Sequence, residues 1–137
     1  MLLSIEPDGP VPIYQQIRDR IVEAIARGRQ PAGSALPPIR QLAVDLGVNF
    51  HTVNKGYDLL RQQGLLRLNR KSGAVVVRDP DSGGPQAGFV DSWSARLRTL
   101  LAEAVAHGLG HRAVLDACQD VLASFAMRPA DAQDGAA

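Results

Sequence analysis

At 137 residues the chain has room for one compact domain and a small appendage, which excludes two full-sized domains. Aromatic residues make up only 4% of it, so its core has to be mostly aliphatic. The formal charge of +1 gives the whole chain little pull on nucleic acid, yet residues 1–80 hold eleven Lys/Arg against seven Asp/Glu, while residues 81–137 hold four against seven. Positive charge is therefore concentrated in the first part, most densely at Arg61, Arg67, Arg70, Lys71 and Arg78. Cys118 is the one cysteine, which rules out an internal disulfide and fits a reducing compartment. Its place on an apolar stripe predicts a buried structural thiol rather than a redox sensor.

The opening MLLSIEPDGP has no basic leader and no apolar run of signal-peptide length, and no later run is long enough to span a membrane. A cytoplasmic protein is expected. Val11 and Pro12 open a first helix, in which Ile13, Ile17, Ile21 and Ile25 recur every four residues as one apolar face. Gly28 ends it, Pro31 and Gly33 make a turn, and residues 34–36 are placed as a very short edge strand. Pro37 and Pro38 set the first turn of a second helix, whose inner face is Ile39, Leu42, Ala43 and Leu46. Gly47 can take the left-handed conformation that ends this helix, and Asn49 can cap a third. There Val53, Tyr57 and Leu60 point inward, leaving His51, Thr52, Asn54 and Lys55 on or near the opposite side, until Gly64 stops the helix. Residues 65–68 and 74–77 have strand length, and residues 69–73 (NRKSG) join them as a hairpin.

Helix, helix, helix, strand, strand is the order of a winged helix-turn-helix, so the fold class is α+β, mainly helical, followed by a small two-helix C-terminal region. The third helix shows short polar and cationic groups near its N-terminus, held across a tight turn by the second helix. That is the geometry that enters a DNA major groove. The candidate DNA contacts on this reading are Asn49, Phe50, His51, Thr52, Asn54 and Lys55, together with Arg70, Lys71 and Gly73 at the hairpin. Asn54 suits an adenine edge, and Thr52 a phosphate or a thymine methyl. Asn49 caps its helix whether or not DNA is bound. Phe50 is either a hydrophobic brace under the turn or an apolar contact with a thymine methyl. A charge run such as Lys55, Arg70 and Lys71 also serves simply as a solvated face.

Residues 79–88 (DPDSGGPQAG) are linker by composition. Beyond them one helix is expected over residues 92–107 and another over residues 111–127, with Trp93, Leu97, Leu100, Leu101, Val114, Val121, Leu122 and Phe125 on their apolar faces. Two such helices cannot bury wide apolar faces on each other alone, so these eight residues are the candidate dimerisation contacts. The expected organisation is a winged helix-turn-helix over 1–79, a linker over 80–90, a dimerisation region over 91–128 and a disordered tail over 129–137.

These residues resemble the GntR family of bacterial transcription regulators, in its YtrA-like branch. The resemblance rests on Pro-Ile-Tyr-Gln-Gln-Ile from Pro12, Gly33, the Leu-Pro-x-x-Arg-x-Leu-Ala stretch from Leu36, Leu-Gly-Val from Leu46, Thr52-Val53 and Gly64-Leu65. It implies a winged helix reading double-stranded DNA, with Arg40 at the family's motif arginine, either anchoring to a phosphate or reaching a guanine edge. It also implies short C-terminal helices that mediate dimerisation, and target genes often tied to transport. Two positions depart from the pattern: Phe50 stands where an Arg or small polar group is usual, and Lys71-Ser72 precede a single glycine where the wing tip usually carries two or three.

No phosphate-cradling glycine loop, nucleophile elbow or zinc-protease motif is present, so no enzyme and no cofactor are expected. His107 and His111 are four apart but straddle Gly108 and Gly110, so no metal site is expected. The sequence-level reading is a homodimeric repressor on an inverted-repeat operator, with room for a small-molecule effector only at the dimer interface or between tail and winged helix. The rival is a winged helix used as a protein-interaction or architectural module without sequence preference.

Overall fold

The isoleucine stripe builds α1 (Ile13–Ala26), in which Ile17, Ile21 and Ile25 are buried. The computed structural model describes residues 3–70 and 73–126 and divides the chain into two units, Met1–Ser82 and Gly83–Met127. In the first unit α1 is followed by β1 (Ala35–Leu36), α2 (Ile39–Leu46), α3 (Phe50–Gln62), β2 (Leu66–Asn69) and β3 (Gly73–Val76). This is a winged helix-turn-helix of the expected α+β, mainly helical class. The sheet order is β1-β3-β2, antiparallel throughout, with Leu66 opposite Val76, Asn69 opposite Gly73 and Leu36 opposite Ala74. Leu36, Leu66, Ala74 and Val76 turn inward from the sheet and close the core against Leu42, Ala43, Val53, Tyr57 and Leu60.

The recognition helix α3 packs on α1, α2 and β2. Its approach to α1 depends on Gly56, where a β-carbon would stand 3.0 Å from the Tyr14 carbonyl oxygen and 3.3 Å from Ile17 Cγ2. Gly47 ends α2 in the left-handed region at φ 69°, as its place after Leu46 predicts. The two prolines lie ahead of α2 rather than inside its first turn. Pro38 is its N-cap, with extended backbone at φ −56° and ψ 146°, because the residue before a proline and the cap itself both avoid helical ψ.

The N-terminal arm is part of this unit. Gln16, buried among the isoleucines, accepts the Glu6 N–H at 2.7 Å and donates to the carbonyls of Glu6 at 2.9 Å and Val11 at 2.7 Å. Leu3 and Ile5 then pack against the core. At the other end Asp79 accepts the Ala32 N–H at 2.8 Å, fastening the turn before β1 to the chain leaving β3.

The second unit is a helix pair, α4 (Phe89–Ala106) and α5 (His111–Ala126). The start of α4 comes three residues earlier than residue 92, which shortens the linker expected over 80–90. Ser92 is inside the helix, its amide donating to the Gly88 carbonyl at 3.2 Å, and Gly88 is the N-cap. No residue of α4 is buried. Cys118, expected in the interior, is exposed. The stripe it belongs to is real, but a lone pair of helices supplies no third layer to cover it. The tail expected over 129–137, together with Lys71 and Ser72, lies outside the described residues. Among the described residues no helix is long and apolar enough to cross a membrane.

Candidate nucleic-acid interface

Asn49 begins the site. Its backbone is extended, and its side-chain oxygen accepts the His51 N–H at 2.8 Å, satisfying one amide that the first turn leaves without a helical partner. The Thr52 N–H donates to the Asn49 carbonyl at 3.0 Å and tightens that turn. With Val53 and Tyr57 fully buried, helical periodicity puts His51, Asn54 and Lys55 in solvent and Thr52 at the half-buried margin. These groups surround a helix N-terminus, where the peptide dipoles favour negative charge.

Tyr57 locks the angle between α2 and α3. It is fully buried, and its hydroxyl donates to the Pro37 carbonyl at 2.8 Å, just before α2 begins. Burial pushes its pKa above the ordinary tyrosine value.

Two cations rest on aromatic rings. The Arg40 guanidinium carbon lies 4.7 Å from the centre of the Phe50 ring. Phe50 is half-buried against the core, and the His51 ring leans on it with centroids 4.3 Å apart. The Lys55 ammonium sits 4.0 Å from the centre of the Tyr14 ring, bridging α3 to α1. Each contact restrains a long side chain whose charged end still meets water. Phe50 is thus a brace that also carries a cation. Tyr14 is the residue that reading the sequence missed. It stood inside the Pro-Ile-Tyr-Gln-Gln-Ile phrase, but its pairing with Lys55 spans two helices and leaves no local pattern.

Part of the positive charge of the first unit is neutralised, on the helices rather than on the wing. Arg61 pairs with Asp58 at 2.8 Å, and that hydrogen bond, with a second from Gln62, holds the Asp58 carboxyl below the usual carboxylate range. Arg18 is likewise occupied by Asp19 and by Gln63. Arg67 on β2 and Arg70 at the turn are exposed, and Gly73 opens β3 at φ 75°. Lys71 belongs to the undescribed tip.

In the helix pair, Trp93, Leu100, Val121 and Leu122 are exposed, Leu122 by 66%, whereas Leu97, Leu101, Val114 and Phe125 are partly covered. Between α4 and α5 runs an open groove of about 670 Å³ lined by Leu100, Leu101, Ala104, Leu109, Val114 and Cys118. His107 Nδ1 lies 2.8 Å from the carbonyl of Glu103 on its own helix. No group of three or more potential metal ligands comes together among the described residues.

Residues 13–76, from the start of α1 to the end of β3, match the family described as bacterial regulatory proteins, gntR family. The HTH-type transcriptional repressor YtrA of Bacillus subtilis is 32% identical over 75 residues, covering 55% of this chain and 58% of that one. The chain spans less than two thirds of the length of the curated relatives it matches, from 16% to 58% among four of them. YtrA from Sulfolobus acidocaldarius, a GntR-family transcription factor of known structure, is 36% identical with a TM-score of 0.60, over 77% of this chain and 99% of its own. The AraR DNA-binding domain in complex with operator ORX1 is 28% identical with a TM-score of 0.51, over 56% of this chain and 99% of that one. This chain belongs to the GntR family as a YtrA-like, winged-helix DNA-binding transcription regulator.

Proposed function

We propose that the chain acts in the cytoplasm as a homodimeric, sequence-specific repressor on an inverted-repeat operator in double-stranded DNA. The observation that carries this reading is the outer face of the first two turns of α3, with exposed His51, Asn54 and Lys55 and half-buried Thr52 near an Asn49-capped helix N-terminus. In the major groove, Arg40 and Asn54 meet base edges, Thr52 and His51 meet base edge or phosphate, and Lys55, Arg70 and Lys71 hold the backbone. Gly73 lets the wing turn close to the duplex. Repression is the role in the printed name of the Bacillus subtilis relative.

The dimer is argued from what the helix pair leaves uncovered. Leu100, Leu115, Val121 and Leu122 are each more than half exposed, and the groove beside them is apolar. A two-fold partner presenting the same helices removes that surface from water. Two-fold symmetry makes the operator an inverted repeat, whose half-sites are expected about 34 Å apart, one turn of duplex.

Selection from a randomised duplex library by the full chain tests this, followed by titration of the enriched duplex and of an unrelated one at physiological salt. An inverted repeat bound by two chains, roughly a thousandfold or more tighter than the unrelated duplex, is the expected result. Equal affinity for both duplexes would establish the rival, an architectural winged helix without sequence preference. Leu122→Asp should leave α3 folded and convert the dimer to a monomer in analytical ultracentrifugation.

A further inference from the structure

We propose that Phe50 is a positioning residue for DNA reading: its ring is the platform that holds the Arg40 guanidinium for a base edge, and it makes no DNA contact of its own. The inference rests on the DNA-reading function proposed above and deepens it. Arg40 is exposed on α2, and no carboxylate among the described residues lies within ion-pairing distance of it. What it has is the Phe50 ring, 4.7 Å from the guanidinium carbon. Phe50 is itself fixed, because it is the first residue of α3 and is half-buried against the core, with His51 packed on it at 4.3 Å. A ring braced in this way has little surface left for a thymine methyl.

A guanidinium resting on an aromatic ring keeps its N–H donors, since the attraction uses its charge and not its hydrogens. The planar fork therefore remains available for the paired acceptors of a guanine edge. The contact restricts the arginine before DNA arrives, so less freedom is lost on binding. Ordering one flexible side chain at an interface corresponds to about twofold to tenfold in affinity. Preference at one base pair then depends on a residue that never touches it. This also gives a use for the aromatic side chain at a position where the family pattern has an arginine or a small polar group.

The test is a double-mutant cycle in the full chain, with two probes: the duplex enriched by the wild type from the randomised library, and an unrelated duplex. Phe50→Leu keeps apolar bulk against the core and removes the ring, while Phe50→Tyr keeps the ring. Phe50→Leu should weaken the enriched duplex about twofold to tenfold and leave the unrelated one unchanged. In an Arg40→Ala background it should have no further effect, and Phe50→Tyr should match the wild type. An equal loss from Phe50→Leu with and without Arg40, or an equal loss on both duplexes, overturns the positioning role while the DNA-reading function stands. A wild-type chain that enriches no sequence overturns both. Should Phe50→Leu fail to fold, the wild type still decides: the Arg40 side-chain protons must be shifted upfield by the ring in proton NMR, and unshifted resonances overturn the proposal.

Discussion

Tyr57→Phe removes one oxygen atom and isolates the fastening between α2 and α3. The phenol is fully buried and donates to the Pro37 carbonyl at 2.8 Å, whereas the ring makes the same core contacts in either residue. Losing an ordinary hydrogen bond costs about 0.5–1.5 kcal/mol, and leaving a buried acceptor unpaired raises that to about 1–3 kcal/mol. Pro37 is half-buried, so water reaches its carbonyl in part, and about 1–2 kcal/mol is the expected loss. For a domain of this size each kcal/mol lowers Tm by about 4–8 °C, so a fall of about 4–16 °C follows. Thermal unfolding followed by far-UV circular dichroism measures it, with both proteins at one concentration because dimer dissociation makes Tm concentration-dependent. An unchanged Tm would mean that the hydroxyl contributes nothing to holding the helix-turn-helix angle, and the account of how α3 is aimed would fail.

The same tyrosine gives a pH dependence. Its folded pKa is raised by burial, so the native state holds its proton where the unfolded chain releases it, and stability falls as pH rises above about 10. Urea titrations across that range should show a steeper decline in the wild type than in Tyr57→Phe. Asn49→Ala deletes the α3 cap and should cost about 0.5–2 kcal/mol in urea unfolding, with Asn49→Asp keeping most of it. Gly56→Ala gains about 1 kcal/mol of helix propensity but drives a β-carbon against the Tyr14 carbonyl, an overpacking worth about 1–3 kcal/mol. A lowered Tm is expected, and a raised one would show that α1 can move aside. Arg70→Ala should weaken every duplex alike and reduce the slope of log affinity against log salt by about 1, whereas Asn54→Ala should cost about 1–3 kcal/mol of discrimination at one base pair.

The local devices of the winged helix were legible because each is written within a few residues. Four-residue spacing of isoleucine gives α1 its inner face, Gly47 turns left-handed after the last apolar residue of α2, and Asn49 bonds two residues ahead. The contacts that tune the site were not legible, because they join residues far apart in the chain. Arg40 meets Phe50 across the turn, Lys55 meets Tyr14 across 41 positions, and Tyr57 reaches back to Pro37. A glycine in the middle of an amphipathic helix, as at Gly56, is a visible sign that another backbone comes close, but not of which one. The charge at the start of the basic stretch is smaller than its composition for a related reason: Asp58 lies outside that stretch in sequence and, one turn back on α3, pairs with Arg61 in space.

The helix pair shows where such reading ends. Periodicity identifies a stripe through Leu100, Val121 and Leu122 as apolar, but a stripe carries no address for what covers it. The interior position assigned to Cys118 assumed a cover within the same chain, and the structure leaves that thiol exposed beside an apolar groove. The same exposure makes the proposed dimer a sharper claim, because Cys118 now reports on it. In a dimer that buries the groove, Cys118 should be shielded from a maleimide at concentrations where two chains associate. It should react freely in Leu122→Asp, whose charge opposes association. Equal labelling of both proteins would place the dimer contact elsewhere, and the exposed faces of α4 and α5 would then need another partner.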